Sequence, residues 1–229
     1  MLTLTLDTST HRGTVALSEN TTVLEDIFWD KSSSHSEHLV GEIRSLYLRA
    51  KKNIADTRLL ICGVGPGSFT GLRVALSFSK ALAYSLNIPV IPIETCWAIA
   101  LQTDPLTSSP IGVVLDAQKN MFFMGKYIWQ NGNLHSMQDV CLGSEDTFLK
   151  STTTPTLYIS NVPEVFQKNS LPLSPHIAFP SARLIFEYVS AYPENHKSIT
   201  WNELTPLYLR ASAAEEVLLL KKSTTRSHE

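Results

Sequence analysis

Cysteine, net charge and long apolar runs are all scarce in this sequence, and each shortage excludes a class of protein. The three cysteines lie far apart in 229 residues, so they form neither a disulfide framework nor a paired CxxC metal site. A formal net charge of -2 gives no general attraction to nucleic acid, so partners must be argued from local features. No apolar run reaches the roughly 18 residues of a membrane span, and MLTLTLDTST lacks the pattern of a signal peptide. We therefore expect a soluble, cytoplasmic protein without membrane contact.

Hydrophobic periodicity predicts an α/β protein. With 43% apolar residues, the chain can form one large domain or two small ones. Leu2, Leu4 and Leu6 alternate with threonines, which predicts a strand that ends at Asp7. The short turns after this strand predict an antiparallel start of the sheet. The other elements predicted in the first half are strands after Gly13 and over 23–30, 59–65 and 90–94, and helices from about His35, over 68–87 and from Thr95.

The second half repeats the beginning of the first. IGVVLDAQKNMFFMGKYIWQNG, like LTLTLDTSTHRGTVAL, predicts a strand, an aspartate, a short turn and a returning strand, with Asp116 in the place of Asp7. The polar stretch 102–110 reads as a linker. The duplication predicts two ribonuclease-H-like lobes, each a mixed sheet flanked by helices, over residues 1–101 and 102–229. The other elements predicted in the second lobe are strands over 156–160 and 176–179, helices over 162–169 and from Pro180, and a C-terminal helix before a solvated tail.

The segment GVGPGSFTGLR, residues 63–73, carries the strongest functional signal. Four of the ten glycines lie here, between a predicted strand and a predicted helix. Such a turn can bind an anion or a partner, or it can be only a tight turn. No Lys-Ser/Thr pair follows, so it is not a P-loop, and the third glycine of a dinucleotide fingerprint is replaced by Ser68. The candidate loop residues are Gly65, Pro66, Gly67, Ser68, Thr70, Gly71 and Arg73.

One family shares these motifs. The chain resembles the bacterial TsaB (YeaZ) family of tRNA threonylcarbamoyladenosine biosynthesis proteins through LDTST, HSEHL, GPGSFTGLRVALSFSKALAYSLNIPVIPI and PLYLR. The resemblance implies an actin-like (ASKHA) fold. It also implies a non-catalytic partner of TsaD, the enzyme that works with the ATPase TsaE. TsaD transfers threonylcarbamoyl to the adenosine following the anticodon, so this chain would meet tRNA only indirectly.

The metal site of the catalytic paralogue is not expected in this chain. TsaD carries a His-x-x-x-His motif, and alignment through NIPVIPI places Thr95 and Ile99 at its two positions. Isoleucine cannot ligate a metal, so we expect no iron or zinc here. His35 and His38 form the one close histidine pair of the sequence, and they are predicted to be a solvated helix cap because no third ligand is evident.

Autonomous ATP binding is also disfavoured. An actin-like ATPase needs two aspartate turns and a glycine-rich adenosine loop, but no glycine occurs between Ser144 and Glu229. Without that loop, no cofactor is expected. An enzyme remains the alternative, either a divergent actin-like phosphotransferase or a glycoprotease-like metallopeptidase. The residues predicted to line the remnant of a nucleotide cleft are Asp7, Thr8, Ser9 and Asp116.

The second predicted helix is apolar on more than one side. Residues 68–87 carry only Arg73 and Lys80 as charges. One side packs on its own sheet, and the other must be covered by the second lobe or by another subunit. The resemblance implies a subunit, because TsaB pairs with TsaD through the first two helices, and the same surface would form a homodimer when TsaD is absent. The residues predicted to contact the partner are Leu39, Ile43, Leu46, Leu72, Leu76, Lys80 and Ala83.

Overall fold

The computed structural model describes residues 1–30, 35–151, 156–174 and 178–210. Its strands are β1 (Leu2–Asp7), β2 (Arg12–Glu19), β3 (Thr22–Asp30), β4 (Thr57–Gly65), β5 (Val90–Glu94), β6 (Ile111–Asp116), β7 (Met121–Gln130), β8 (Asn133–Ser144) and β9 (Leu157–Ser160). Its helices are α1 (His35–Arg49), α2 (Phe69–Leu86), α3 (Thr95–Ala100), α4 (Glu145–Ser151), α5 (Pro163–Lys168) and α6 (Ala182–Ala191). None of these helices is both long and apolar enough to cross a membrane.

The first sheet has the strand order β3-β2-β1-β4-β5. Short turns make β1, β2 and β3 antiparallel, whereas the crossovers through α1 and α2 make β1, β4 and β5 parallel. The central strand β1 is covered on both faces. Leu4 and Leu6 are fully buried beside the apolar residues of α1 and α2, and Thr3 and Thr5 are fully buried on the other face.

The second sheet has the order β8-β7-β6-β9, which repeats the first sheet without its fifth strand. β6, β7 and β8 are antiparallel, and β9 is parallel to β6. Two ribonuclease-H-like sheets in tandem are the actin-like α/β fold, so the predicted fold class is confirmed. The strand predicted over 176–179 is wrong in its described part, because Ala178 and Phe179 lie in a bend; positions 176 and 177 lie outside the described residues.

The predicted bounds of α2 are confirmed, and its ends have clear local causes. The Ser68 hydroxyl caps the helix by accepting a hydrogen bond from the Gly71 amide. Asn87 ends it in the left-handed conformation at φ 51°, and Pro89 follows. The predicted C-terminal helix lies outside the described residues.

The helix α6 joins the two halves, because it packs on the first sheet although it follows the second in sequence. It begins at Ala182 rather than at Pro180, with Ser181 as the capping side chain. The Ala182 amide donates to the Thr14 hydroxyl of β2, and Arg183 forms an ion pair with Asp26 of β3. The predicted division into residues 1–101 and 102–229 stays a prediction.

Candidate functional site

The glycine-rich loop packs directly against the turn that follows β1. The Ser68 amide donates to the Ser9 carbonyl oxygen at 2.7 Å, and the Thr8 hydroxyl donates to the Gly71 carbonyl oxygen at 2.7 Å. A Cβ atom on Gly67 would lie 2.2 Å from the Ser9 carbonyl oxygen, and one on Gly71 would lie 1.9 Å from that of Thr8. The glycines therefore allow two backbone segments of this chain to meet, which favours the tight-turn interpretation of the loop.

Asp7 lies beneath this contact and is fully buried. Its Oδ1 accepts hydrogen bonds from the Ser9 amide at 2.7 Å and the Ser9 hydroxyl at 2.6 Å, while Thr95 donates to the Ser9 hydroxyl at 2.9 Å. Its Oδ2 has no hydrogen-bond partner among the described residues and faces Gly63. Burial raises the pKa of Asp7 to about 6, against the opposing effect of these hydrogen bonds. Asp7 therefore stabilises the turn after β1 and is not accessible to solvent.

A cleft of about 600 Å³ separates the two sheets. It lies where β1, β4 and β6 end, which is the usual place for a site in an α/β sheet. Of the four residues predicted to line a remnant nucleotide cleft, Ser9 and Asp116 do so. The prediction is wrong for Asp7 and Thr8, which are fully buried because the loop covers them. Three predicted loop residues also line the cleft: Gly67, Ser68 and Thr70.

The motif PLYLR closes one side of this cleft, a role the sequence did not reveal. The Leu207 amide donates to the Val64 carbonyl oxygen at 2.8 Å, and Tyr208 stacks on Phe69 with 4.9 Å between ring centroids. Arg210 donates to the Ala117 and Gln118 carbonyl oxygens of the turn after β6. The segment therefore connects the first sheet to the second across the cleft.

The positions considered for metal ligands have other roles. Thr95 is bonded to Ser9, and Ile99 is fully buried in the core between the sheets. His35 is buried rather than solvated, so that prediction is wrong; its Nε2 is 2.8 Å from the Thr10 carbonyl oxygen. In the part of the chain that the structure describes, no three His, Cys, Asp or Glu side chains are grouped to hold a metal ion.

The apolar residues predicted to contact a partner are instead core residues. Six of the seven are at most 5% exposed and pack against the first sheet, because they form the inward stripe of each helix. The prediction is wrong for five of them, Leu39, Leu46, Leu72, Leu76 and Ala83, whereas Ile43 also lines the groove described in the next paragraph. The seventh, Lys80, is half-buried.

A different set of side chains gives the two helices an exposed apolar surface. Val40 and Leu48 of α1 are 61% and 67% exposed. Together with Arg44, Phe78 of α2 and Ile54 after α1, they border a groove of about 390 Å³. We call this the α1–α2 groove. Its sequence signal is the spacing of Val40, Arg44 and Leu48 at i, i+4 and i+8, out of phase with the core stripe.

Two ribonuclease-H-like sheets that meet at a cleft place the chain in the actin-like class of α/β proteins. Within that class, residues 29–190 match the family model described as "TsaD: tRNA N6-adenosine threonylcarbamoyltransferase". The match covers more than half of the chain, so the chain belongs to this family.

Similar proteins carry the names TsaB and YeaZ. The Bacillus subtilis tRNA threonylcarbamoyladenosine biosynthesis protein TsaB is 29% identical over 167 residues, 70% of this chain and 71% of that protein. The Haemophilus influenzae TsaB is 26% identical over 226 residues, 90% of this chain and 92% of its own. The solved structure of YeaZ from Pseudomonas aeruginosa superposes with a TM-score of 0.76 at 21% identity and covers 91% of this chain and 99% of that one. The resemblance predicted from the motifs is confirmed.

Proposed function

We propose that the chain is a non-catalytic, TsaB-type subunit of tRNA threonylcarbamoyladenosine biosynthesis that binds a TsaD-type subunit through the α1–α2 groove. The main observation behind this proposal is the exposed, apolar α1–α2 groove. Two large apolar side chains, Val40 and Leu48, stand more than half exposed on one helix face beside a groove. Such a patch marks an interaction surface on a protein, and the relatives named TsaB are biosynthesis proteins of this pathway.

A helix of the partner would approach α1 closely beside this groove. Gly41 lies on the outward side of α1, two turns before Leu48, and a Cβ atom there would meet nothing within 4 Å. An exposed glycine inside a helix costs stability, so its small size is better explained by close approach of another helix. Without a TsaD-type partner, two copies of the same groove would support a homodimer. TsaE would act through the partner, and tRNA would not bind in this groove.

Two positions support a non-catalytic role. Thr95 and Ile99 stand where the resemblance to TsaD places its metal-binding histidines, and both are fully buried and used by the fold. The carboxylate of Asp7 is also withdrawn from the cleft. Catalysis would therefore belong to the TsaD-type subunit, with this chain as its support.

The test is Leu48→Glu, with Leu106→Glu as the matched control. Leu106 is 90% exposed and lies far from the groove in sequence, so both changes add one charge at an exposed leucine. We expect Leu48→Glu to lose co-elution with the TsaD-type protein of the same organism, because a charge would be buried in the interface. It should also fail to restore threonylcarbamoyladenosine to the tRNA of a strain that lacks the wild-type gene. If Leu48→Glu binds and complements like Leu106→Glu, the proposal is wrong.

A further inference from the structure

Aromatic and basic side chains share a second exposed side of α2. Arg73, Ser77, Lys80 and Tyr84 follow one another at i, i+4, i+7 and i+11, which forms a stripe about 16 Å long. This stripe lies roughly 130° around the helix from Phe78, so it is separate from the α1–α2 groove. The C-terminal segment 197–210 adds aromatic rings at both ends. We call the whole set the aromatic–basic strip: Phe69, Arg73, Lys80, Tyr84, Trp201 and Tyr208.

The rings of the strip are held in place and still present faces to solvent. Tyr84 contacts Trp201 edge to face, with 5.1 Å between centroids, and these side chains are 68% and 40% exposed. At the other end, Tyr208 stacks on Phe69 and is 42% exposed. The Arg73 guanidinium lies 3.9 Å from the Phe69 centroid, and its Nε donates to the Tyr208 hydroxyl at 3.4 Å. Three large aromatic surfaces are therefore fixed in position before any ligand binds.

The charge of the strip is positive although the whole chain is slightly acidic. α2 contains no Asp or Glu, and the one acidic residue of 197–210, Glu203, is outnumbered there by Lys197 and Arg210. Among the described residues, neither Arg73 nor Lys80 forms an ion pair. A local positive field therefore persists beside the exposed rings.

A second aromatic–arginine cluster on this chain shows the contrast. Arg12 lies 4.8 Å from the Phe28 centroid, and Phe28 is also exposed. There, however, Asp30 pairs with Arg12 and cancels its charge. Exposed aromatic rings with unpaired cations are thus a property of the α2 strip and not of every such cluster here.

We infer that the aromatic–basic strip binds single-stranded nucleic acid, with bases stacked on Tyr84, Trp201 and Tyr208 and phosphates beside Arg73 and Lys80. Stacking platforms flanked by basic side chains are the common chemistry of single-strand recognition. Tyr, Trp and Arg are also enriched at protein interfaces, so a protein contact is the alternative that the experiment below separates from RNA binding. The inference concerns the isolated chain and does not require the α1–α2 groove to bind TsaD.

The experiment measures binding of the full chain to a fluorescein-labelled, 12-nucleotide single-stranded RNA without self-complementarity, by fluorescence anisotropy. We expect the wild type to bind this RNA in preference to a 12-base-pair RNA duplex. Tyr84→Ala and Trp201→Ala should each weaken binding about 5- to 150-fold, the range measured for loss of one stacked base. Phe28→Ala, the matched control at an exposed ring with a neutralised arginine, should leave the affinity unchanged.

Salt dependence gives a second readout that a structural defect would not reproduce. Arg73→Gln should reduce the slope of log affinity against log salt by about 0.7, the value for one lost phosphate contact on a single strand. Circular dichroism of each variant checks that it is folded.

No binding by the wild type, or equal losses for Trp201→Ala and Phe28→Ala, would overturn the inference. It would also be overturned if Trp201→Ala and Tyr84→Ala lost TsaD binding and kept RNA binding, because the strip would then be a protein contact. Loss of TsaD binding by Leu48→Glu tests only the proposed function.

Discussion

Asp7→Asn is expected to change how the stability of this protein depends on pH. Asp7 is a fully buried carboxyl group with one oxygen bonded to Ser9 and the other without a described partner. Burial raises its pKa from 3.8 to about 6, although the hydrogen bonds from Ser9 and Thr95 favour the ionised form. At neutral pH the folded chain therefore buries an ionised carboxylate, although burial favours the neutral acid.

Proton linkage gives both the sign and the size of the effect. Because the pKa of Asp7 is higher in the folded chain, its contribution to stability is complete below the unfolded value of 3.8 and is lost as the pH rises through about 6. The gap between these two pKa values corresponds to about 3 kcal/mol of unfolding free energy. Most of this change falls between pH 4 and pH 6.

Asparagine keeps an acceptor oxygen for the Ser9 amide and hydroxyl but cannot ionise. The unfolding free energy of Asp7→Asn, minus that of the wild type, should therefore rise by about 2.5 kcal/mol from pH 4 to pH 8. Urea unfolding followed by circular dichroism at several pH values measures this difference. A flat difference for Asp7→Asn would refute the reasoning that ionisation of Asp7 opposes folding.

Two further changes test the two sides of the first two helices. Gly41→Ala should raise the unfolding free energy of the isolated chain by about 0.5–1 kcal/mol, since the new Cβ meets only open space, and calorimetry should show a higher Tm. The same variant should bind the TsaD-type subunit more weakly, and tighter binding would contradict a close helix approach at Gly41. Leu76→Glu places a charge in the core and should lower the free energy of unfolding by several kcal/mol. The variant should therefore lose its fold, and not only its ability to form a dimer. A folded but monomeric Leu76→Glu variant, seen by circular dichroism and size-exclusion chromatography, would contradict the buried position of Leu76.

Strands with at least one buried face could be predicted from the sequence, whereas a strand whose middle is exposed on both faces could not. In β1, leucines and threonines alternate, and the structure buries each type on its own face. β8 shows no such alternation because residues 135–139 in its middle are exposed on both faces. Backbone pairing with β7, interrupted by register shifts near Lys126, holds it in the sheet instead. The sequence does not predict the helix α4 for a related reason, because only Phe148 of its seven residues is buried.

The candidate site shows why apolar spacing alone does not identify an interface. Leu39, Ile43 and Leu46 form the most regular apolar stripe of α1, and that regularity is what a helix needs to pack on its own sheet. A surface for another subunit is added to a helix that already has its core stripe, so its apolar residues must fall out of phase with that stripe. Val40 and Leu48 do so, and a polar residue at either position would cost the isolated chain little. Apolar side chains that the fold itself does not use are therefore a better sequence signal for a partner than the strongest apolar face.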